Sequence, residues 1–302
     1  MKNEKKKARQ YLIDLQRDRS AVALAACVIT LVFTVGAITW GVVTYTRTGR
    51  SLGHLFRFFT TLSNMMTALA ASFIIPYAVS GIARKRFVYP RWIAMLHYSG
   101  TVNTTLTMLF SMTFILKVDP VSAIGGHNFY LHIICPTAVL VSYLMVESGQ
   151  ELSKKDALKC LVPFFLYSIV YVVMVVFLGI WNDFYMFNVI MPYYISLPGM
   201  WILGCLIALG VRKASSKLSE RRKKILLSSW SEDLDPIEIR IELFGLGRYN
   251  GMAGDMNELT IPYDILKMIS ERYGLDASDL AAVYTRGLLD GAAEKEEYMK
   301  NK

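Results

Sequence analysis

Charged residues are scarce in this sequence, and the shortage is confined to one part of it. Asp, Glu, Lys and Arg make up 19% of the 302 residues, whereas soluble domains carry about a quarter. Residues 1–212 hold the long apolar runs, and residues 213–302 have an ordinary polar composition. This contrast excludes a single soluble globular domain and a disordered chain. It predicts a membrane-embedded body followed by a water-facing tail.

Cysteines and membrane-buried acidic residues are also rare. The four cysteines, Cys27, Cys135, Cys160 and Cys205, stand singly in or beside apolar segments without a CxxC pair. This spacing argues against a disulfide framework or a zinc module and favours buried packing. The apolar segments contain no Asp or Glu away from their ends, which argues against ion-coupled transport. Transport of a lipid or of a neutral small solute stays open as an alternative function.

Six apolar segments are long enough to cross a bilayer as helices. A helix needs about 20 apolar residues to span a hydrocarbon core of roughly 30 Å. The predicted spans, numbered one to six along the chain, cover residues 21–46, 55–80, 92–116, 128–148, 157–180 and 193–211. The predicted fold class is therefore an all-α polytopic membrane protein, built as a bundle of six transmembrane helices over residues 21–212.

Positive charges predict how the bundle is oriented. Residues 1–212 carry 19 Lys and Arg against 8 Asp and Glu, whereas residues 213–302 carry 14 against 16. Seven of the basic residues lie within residues 1–20, and others follow spans two, four and six. By the positive-inside rule, both termini are predicted to be cytoplasmic, in a plasma membrane. The slightly acidic tail argues against nucleic-acid binding, which needs a basic domain.

The tail is predicted in two parts. Residues 213–230 form a basic, weakly amphipathic segment that we expect to lie along the inner membrane surface, in contact with membrane lipids. In residues 231–302, the alternation of residues 237–243 predicts a half-buried strand, and Thr260 and Asp276 mark the starts of two helices. The result is a small α+β cytoplasmic appendage. A membrane scaffold that docks a cytoplasmic protein partner through this strand is a second alternative function.

Polar side chains within the spans mark the candidate site. Because burying them in hydrocarbon is costly, they are expected to face the bundle interior or a cavity. Spans two, three and four carry them at helical spacing: Arg57, Thr60, Asn64 and Thr67; His97, Thr101, Thr104, Thr107 and Ser111; Asn128, His132, Cys135 and Ser142. The direction of each span and the depth of each residue predict one pocket in the outer leaflet. Its members are Thr60, Asn64, Ser111 and His132, with Arg57 above them.

A threonine and a histidine in this pocket suggest nucleophilic chemistry. His132 is a natural general base, and Thr60 is a weak nucleophile until such a base removes its proton. Asn64 could donate to a developing oxyanion or hold a substrate carbonyl, with Ser111 as a further substrate-binding group. Arg57 could bind a carboxylate through two hydrogen bonds. This chemistry requires no cofactor, and none is expected.

Three alternative roles for these polar side chains compete with nucleophilic catalysis. His54, His127 and His132 map to the outer side and could hold a metal, but His127 and His132 are five residues apart and no carboxylate accompanies them. We therefore predict no metal site. Cys135 lies one turn from His132, yet an unactivated buried cysteine is more often inert. The third role is purely structural, with polar contacts that only hold the helices together.

Two short motifs resemble a known group of membrane proteins. Residues 59–64 (FTTLSN) and residues 128–132 (NFYLH), with a proline at 136, resemble a bacterial family of predicted six-span membrane proteins. That family is distantly similar to the eukaryotic androgen-induced membrane hydrolases, which cleave fatty acid esters of hydroxy fatty acids through a Thr and a His. Residues 181–185 look like the family's aromatic loop. The resemblance covers about residues 20–212 and implies a six-span hydrolase of lipid-like esters, with Thr60 and His132 as its catalytic residues.

Overall fold

The computed structural model describes residues 2–84, 89–146, 152–185, 187, 192–228, 236–253 and 263–300. These residues are predominantly helical and contain no β-strand. The chain divides into two compact units, Met1–Leu218 and Ser219–Lys302. The all-helical character predicted for the membrane body is therefore confirmed.

Six helices of the first unit are long and apolar enough to cross a membrane. Spans one to six are Ser20–Arg47, Phe59–Ala83, Arg91–Val118, His127–Met145, Lys154–Phe177 and Tyr193–Leu218. Each overlaps a predicted segment, which confirms the six spans and identifies the chain as a multi-pass membrane protein. Large apolar side chains on these helices face outward, among them Val32 and Leu206 with 63% and 62% exposure, as suits a surface covered by lipid.

Shorter helices and π-helical turns complete the first unit. Its α-helices are α1 Lys2–Arg47, α2 Leu52–Leu55, α3 Phe59–Arg84, α4 Arg91–Phe110, α5 Leu116–Val118, α6 Pro120–Ile124, α7 His127–Phe129, α8 Cys135–Val146, α9 Lys154–Lys159, α10 Val162–Val172 and α11 Tyr193–Ser228. Single π-helical turns occupy Ser111–Ile115, Tyr130–Ile134 and Val173–Phe177. α11 runs to Ser228, so its last ten residues belong to the second unit, and the basic segment predicted at 213–230 is helical over most of its length.

The bundle interior contains a close helix crossing and an aromatic core. At Gly100 of span three, an added Cβ would lie 2.7 Å from Thr67 Cγ2 and 3.2 Å from Thr67 Cα in span two. A side chain at this position would therefore push the two spans apart. Spans three to six share a large apolar cluster that includes the fully buried rings of Tyr98 and Tyr143.

The second unit is helical, so the strand predicted at residues 237–243 is wrong. Its helices are α12 Pro236–Ala253, α13 Tyr263–Tyr273 and α14 Ala277–Lys300. Ile239 and Leu243 are fully buried, whereas Ile237 and Ile241 are 61% and 51% exposed. Burial thus recurs every four residues, as on one face of a helix. The appendage is all-α within its described residues, and a partner cannot dock on the predicted strand edge.

Close packing of α12 against α14 explains why residues 237–243 are helical. An added Cβ on Gly247 would overlap the carbonyl of Tyr284, and one on Gly287 would overlap the carbonyl of Phe244. The start of α14 agrees with the prediction, because Asp276 Oδ1 accepts the backbone N–H of Ser278 at 2.6 Å. The helix start predicted at Thr260 lies outside the described residues.

Candidate active site

Thr60 and His132 meet between spans two and four. The distance from Thr60 Oγ1 to His132 Nε2 is 3.2 Å, and each residue is only 6% exposed. Thr60 is the second residue of α3, and His132 lies in the π-helical turn Tyr130–Ile134. The two side chains that the sequence placed at a similar depth in the bundle are thus in contact. A hydroxyl and an imidazole nitrogen at this distance satisfy the first requirement for general-base activation.

The backbone carbonyl of Ala123 fixes the tautomer of His132. Its oxygen lies 2.6 Å from His132 Nδ1. Because a carbonyl oxygen only accepts hydrogen bonds, Nδ1 carries the proton and Nε2 presents its lone pair to Thr60. Ser111 Oγ lies 3.0 Å from the same Nδ1 and is a second acceptor for that proton. Thr60 Oγ1 therefore donates to His132 Nε2.

A short helix before span four holds the Ala123 carbonyl in place. Asp119 caps α6 by accepting the Ser122 N–H at 3.0 Å, and hydrogen bonds from Ser122 hold the pKa of the Asp119 carboxyl below its ordinary value. After α6, Gly126 adopts φ 55° and ψ −126°, a conformation essentially restricted to glycine. The sequence thus builds a tight turn that returns the chain into span four with Ala123 beside the imidazole.

Ser111 and His132 both belong to π-helical turns. Such a turn inserts one residue and shifts the following side chains by about 100° around the helix axis. The prediction for span four assumed a regular α-helix with all of its polar residues on one face. The π-helical turn separates these residues around the helix axis. Asn128 Nδ2 donates to the Ser122 carbonyl at 3.0 Å, whereas His132 is directed toward Thr60. Single π-helical turns are frequent at functional sites.

Thr60 differs from the threonines of span three. The hydroxyls of Thr101, Thr104, Thr105 and Thr107 donate to carbonyls three or four residues back in the same helix, at 2.7–2.8 Å. This is the ordinary behaviour of threonine in a membrane helix. Thr60 stands in the first turn of α3, where no complete helical turn precedes it, and its hydroxyl contacts His132. Intrahelical hydrogen bonding thus accounts for the threonines of span three and leaves Thr60 as the candidate nucleophile.

Asn64 supports the site from one turn below Thr60. Its Nδ2 donates to the Thr60 carbonyl at 2.8 Å and to the Leu131 carbonyl at 3.1 Å. Both amide hydrogens are engaged by these backbone oxygens. The side chain therefore ties span two to span four beside His132, and it has no free donor for the oxyanion role expected from the sequence.

Thr60 lines a cavity of about 40 Å³. This volume exceeds the roughly 10–15 Å³ that one water molecule needs. Most of the lining side chains are apolar or aromatic, including Leu106, Phe110, Phe164 and Met200. The candidate nucleophile thus borders a space suited to an apolar group.

An aromatic loop between spans five and six packs against the start of span two. The ring centroids of Phe58 and Phe184 are 4.7 Å apart, and the Arg57 guanidinium carbon lies 5.6 Å from the centroid of the Trp181 ring. Arg57 is therefore positioned at this loop. Tyr185, from the same loop, lines the cavity.

Tyr185 is a candidate residue that the sequence pattern did not single out. Its hydroxyl accepts the backbone N–H of Phe59 at 2.7 Å, and burial raises its pKa to about 12. The phenol is therefore protonated at neutral pH. The sequence feature that includes Tyr185 is the aromatic segment 181–185. Nothing in that pattern indicated that the segment lies beside Thr60.

The remaining residues predicted from the sequence lie apart from this contact. The ring centroids of His54 and His127 are 6.1 and 6.3 Å from that of Tyr45, and the His97 ring packs edge-on against Tyr143. Within the described part of the chain, no three His, Cys, Asp or Glu side chains form a group that could hold a metal ion. Cys135 is fully buried.

Comparisons of the chain with family profiles, curated proteins and solved structures found no match. The fold and the site together define a multi-pass membrane protein with a buried Thr–His contact at the edge of an apolar cavity.

Proposed function

We propose that the protein is a membrane hydrolase of lipid-like esters, with Thr60 as nucleophile and His132 as general base. The observation that carries this proposal is the 3.2 Å contact between Thr60 Oγ1 and His132 Nε2, with the opposite imidazole nitrogen held by the Ala123 carbonyl. A nucleophile next to an oriented base is the arrangement that hydroxyl-dependent acyl transfer requires.

The reaction proceeds in two halves. His132 Nε2 takes the proton as Thr60 Oγ1 attacks the ester carbonyl carbon, which gives a tetrahedral intermediate with a negative oxygen. The intermediate collapses, the C–O bond to the alcohol breaks, and the alcohol leaves with the proton from His132. Water, deprotonated by His132, then attacks the acyl-Thr60 ester and releases the carboxylic acid. Thr60 regains its proton, and no cofactor is consumed.

The cavity supports an apolar acyl group as substrate. Aromatic and aliphatic side chains line most of the space beside Thr60, an environment as apolar as the lipid from which an acyl chain would come. Arg57, stacked on Trp181 near the start of span two, offers a cation to an anionic group at the other end of the substrate. The cavity of about 40 Å³ takes only the part of the acyl chain next to the ester carbonyl, and an ester of a membrane lipid with an anionic group would use both features.

The basic residues support an orientation with both termini in the cytoplasm. Residues 1–20 and the connections after spans two, four and six hold most of the Lys and Arg of the membrane domain. In that orientation span two begins at the outer face, and Thr60 lies one residue inside Phe59, its first residue. The substrate would then enter from the outer leaflet of the plasma membrane.

Variants of the two proposed catalytic residues test the function. In detergent, the purified protein is assayed with fatty acid esters of hydroxy fatty acids and with p-nitrophenyl acyl esters. We expect Thr60→Ala and His132→Ala each to lose at least about 100-fold in kcat, and the double variant to be no worse than Thr60→Ala, because nucleophile and base act as a unit.

Matched variants control for the loss of buried polar groups. Thr104→Ala removes a buried threonine hydroxyl bonded to the Gly100 carbonyl, and His97→Ala removes a buried histidine of span three. Both should keep turnover. Full turnover by Thr60→Ala contradicts the nucleophile assignment. Absence of turnover by the wild type across these esters instead favours lipid transport or a scaffold role.

A further inference from the structure

We propose that the Tyr185 phenol is the hydrogen-bond donor that stabilises the oxyanion in the Thr60–His132 site. Tyr185 and Thr60 line the same cavity, and Phe59, the residue whose N–H the phenol accepts, directly precedes Thr60 in α3. Tyr185 is itself held against the site, since its hydroxyl oxygen accepts the N–H of Phe59 at 2.7 Å. This inference rests on the proposed hydrolase function and assigns the group that this chemistry still requires.

The surrounding hydrogen bonds determine the direction of the Tyr185 proton. Because the phenol oxygen accepts from Phe59, its own proton is donated elsewhere. Tyr167, whose ring centroid lies 6.5 Å from that of Tyr185, donates its own proton to the Arg57 carbonyl at 2.6 Å, so its oxygen is free to act only as an acceptor. The Thr60 proton is committed in the same way, because it goes to His132. In the resting site, these two hydroxyls can therefore offer the Tyr185 proton only neutral oxygens.

Attack by Thr60 places a better acceptor in the cavity. As the bond from Thr60 Oγ1 to the carbonyl carbon forms, the carbonyl π electrons move to the oxygen and the hydroxyl proton passes to His132 Nε2. An ionised acceptor makes a hydrogen bond roughly twice as strong as a neutral one. The Tyr185 O–H turns from its neutral partners to this oxygen and keeps its proton. Stabilisation therefore appears only as charge develops, which is how an oxyanion donor accelerates a reaction.

Asn64 does not compete for this role in the structure, because Thr60 and Leu131 carbonyls engage its two amide hydrogens. Tyr185, in contrast, lines the cavity that Thr60 borders. The phenol is also protonated throughout the neutral range, since burial raises its pKa to about 12.

Replacing Tyr185 by Phe tests the inference. The variant keeps the ring packed against Phe184 and Phe187, whose centroids lie 4.8 and 5.6 Å away, and removes only the hydroxyl. We expect kcat for an acyl ester to fall by about 10²–10³-fold with little change in KM. Binding of a fatty acyl trifluoromethyl ketone, whose adduct with Thr60 carries an oxyanion, should weaken by a similar factor. Tyr98→Phe, which removes a buried phenol bonded to the Ala208 carbonyl, should change neither quantity.

A second variant remains informative if Tyr185→Phe does not fold. Incorporation of 3,5-difluorotyrosine at position 185 keeps the hydroxyl and lowers its pKa, so the loss of activity at high pH should move to lower pH. Turnover by Tyr185→Phe within about fivefold of Tyr98→Phe overturns the inference, as does an unchanged pH profile with difluorotyrosine. Those results need an active wild type. An inactive wild type overturns the proposed function itself, and this inference with it.

Discussion

At the scale of single residues, the surroundings of His132 account for the chemistry of the site. The Ala123 carbonyl orients the imidazole at 2.6 Å, where a Ser–His–Asp triad would use a carboxylate. A neutral carbonyl fixes the tautomer but stabilises the imidazolium less than a carboxylate does. If the proposed reaction takes place, we therefore expect its turnover to be modest.

Ser111→Ala should lower kcat by less than about tenfold, because it removes one neutral hydrogen bond worth about 0.5–1.5 kcal/mol and leaves Ala123 to hold the tautomer. Steady-state ester hydrolysis measures the effect. The control is Ser142→Ala, since the Ser142 hydroxyl is buried without a hydrogen-bond partner among the described residues. A loss above 100-fold for Ser111→Ala would mean that Ser111, and not Ala123, orients His132.

The sequence predicted some site residues and could not predict others. Thr60, Ser111 and His132 are recognisable because they are polar side chains predicted to lie at one depth in spans two, three and four. Ala123 contributes a backbone oxygen, and every residue has one, so no sequence pattern distinguishes it. Tyr185 reaches Phe59 through a loop 126 residues further along the chain. This contact between the loop and span two depends on tertiary packing, which local periodicity does not encode.

At the level of helices and strands, the long helices were predicted correctly, whereas the strand predicted from a short residue pattern was wrong. The six spans follow from the length of apolar runs, a requirement that the bilayer imposes on every crossing helix. The four apolar residues of the 237–243 segment satisfy both period two and, in part, a helical period. Packing of Ile239 and Leu243 in the helical core of the appendage selects the helix. The π-helical turn at Tyr130–Ile134 likewise breaks the 3.6-residue spacing that the face of span four assumed.

Gly100→Ala tests the close crossing of spans two and three. The added methyl group would lie 2.7 Å from Thr67 Cγ2, so the spans must separate, at a cost of about 1–3 kcal/mol. We expect a lower melting temperature in detergent, measured by intrinsic fluorescence. Gly36→Ala, which meets no atom within 4 Å, should not lower it. Equal melting temperatures for the two variants would show that the crossing is not tightly packed.

At the scale of the whole molecule, two units with different composition share one chain. The first contains the spans and the candidate site, and the second is a helical appendage with its own small core around Ile239, Leu243 and Leu280. Six spans bring both ends of the membrane domain to the same side of the membrane. The uneven distribution of Lys and Arg predicts that this side is the cytoplasm.

Cysteine labelling in intact cells tests this orientation. In a variant whose native cysteines are replaced by alanine, Arg50→Cys, after span one, should react with a membrane-impermeant maleimide. Lys155→Cys, after span four, should react only once the membrane is permeabilised. The opposite pattern would reverse the topology and place Thr60 near the cytoplasmic face.

Covalent labelling shows whether His132 activates the hydroxyl of Thr60. The purified protein is treated with a long-chain alkyl fluorophosphonate, which transfers its phosphonyl group to an activated hydroxyl, and the modified residue is located by peptide mass spectrometry. We predict one major adduct, on Thr60, that is lost in His132→Ala and retained in His97→Ala and Thr104→Ala, because the 3.2 Å contact with His132 activates the hydroxyl. Labelling of Thr60 that persists in His132→Ala, or a wild type that hydrolyses esters without any adduct on Thr60, would contradict the account.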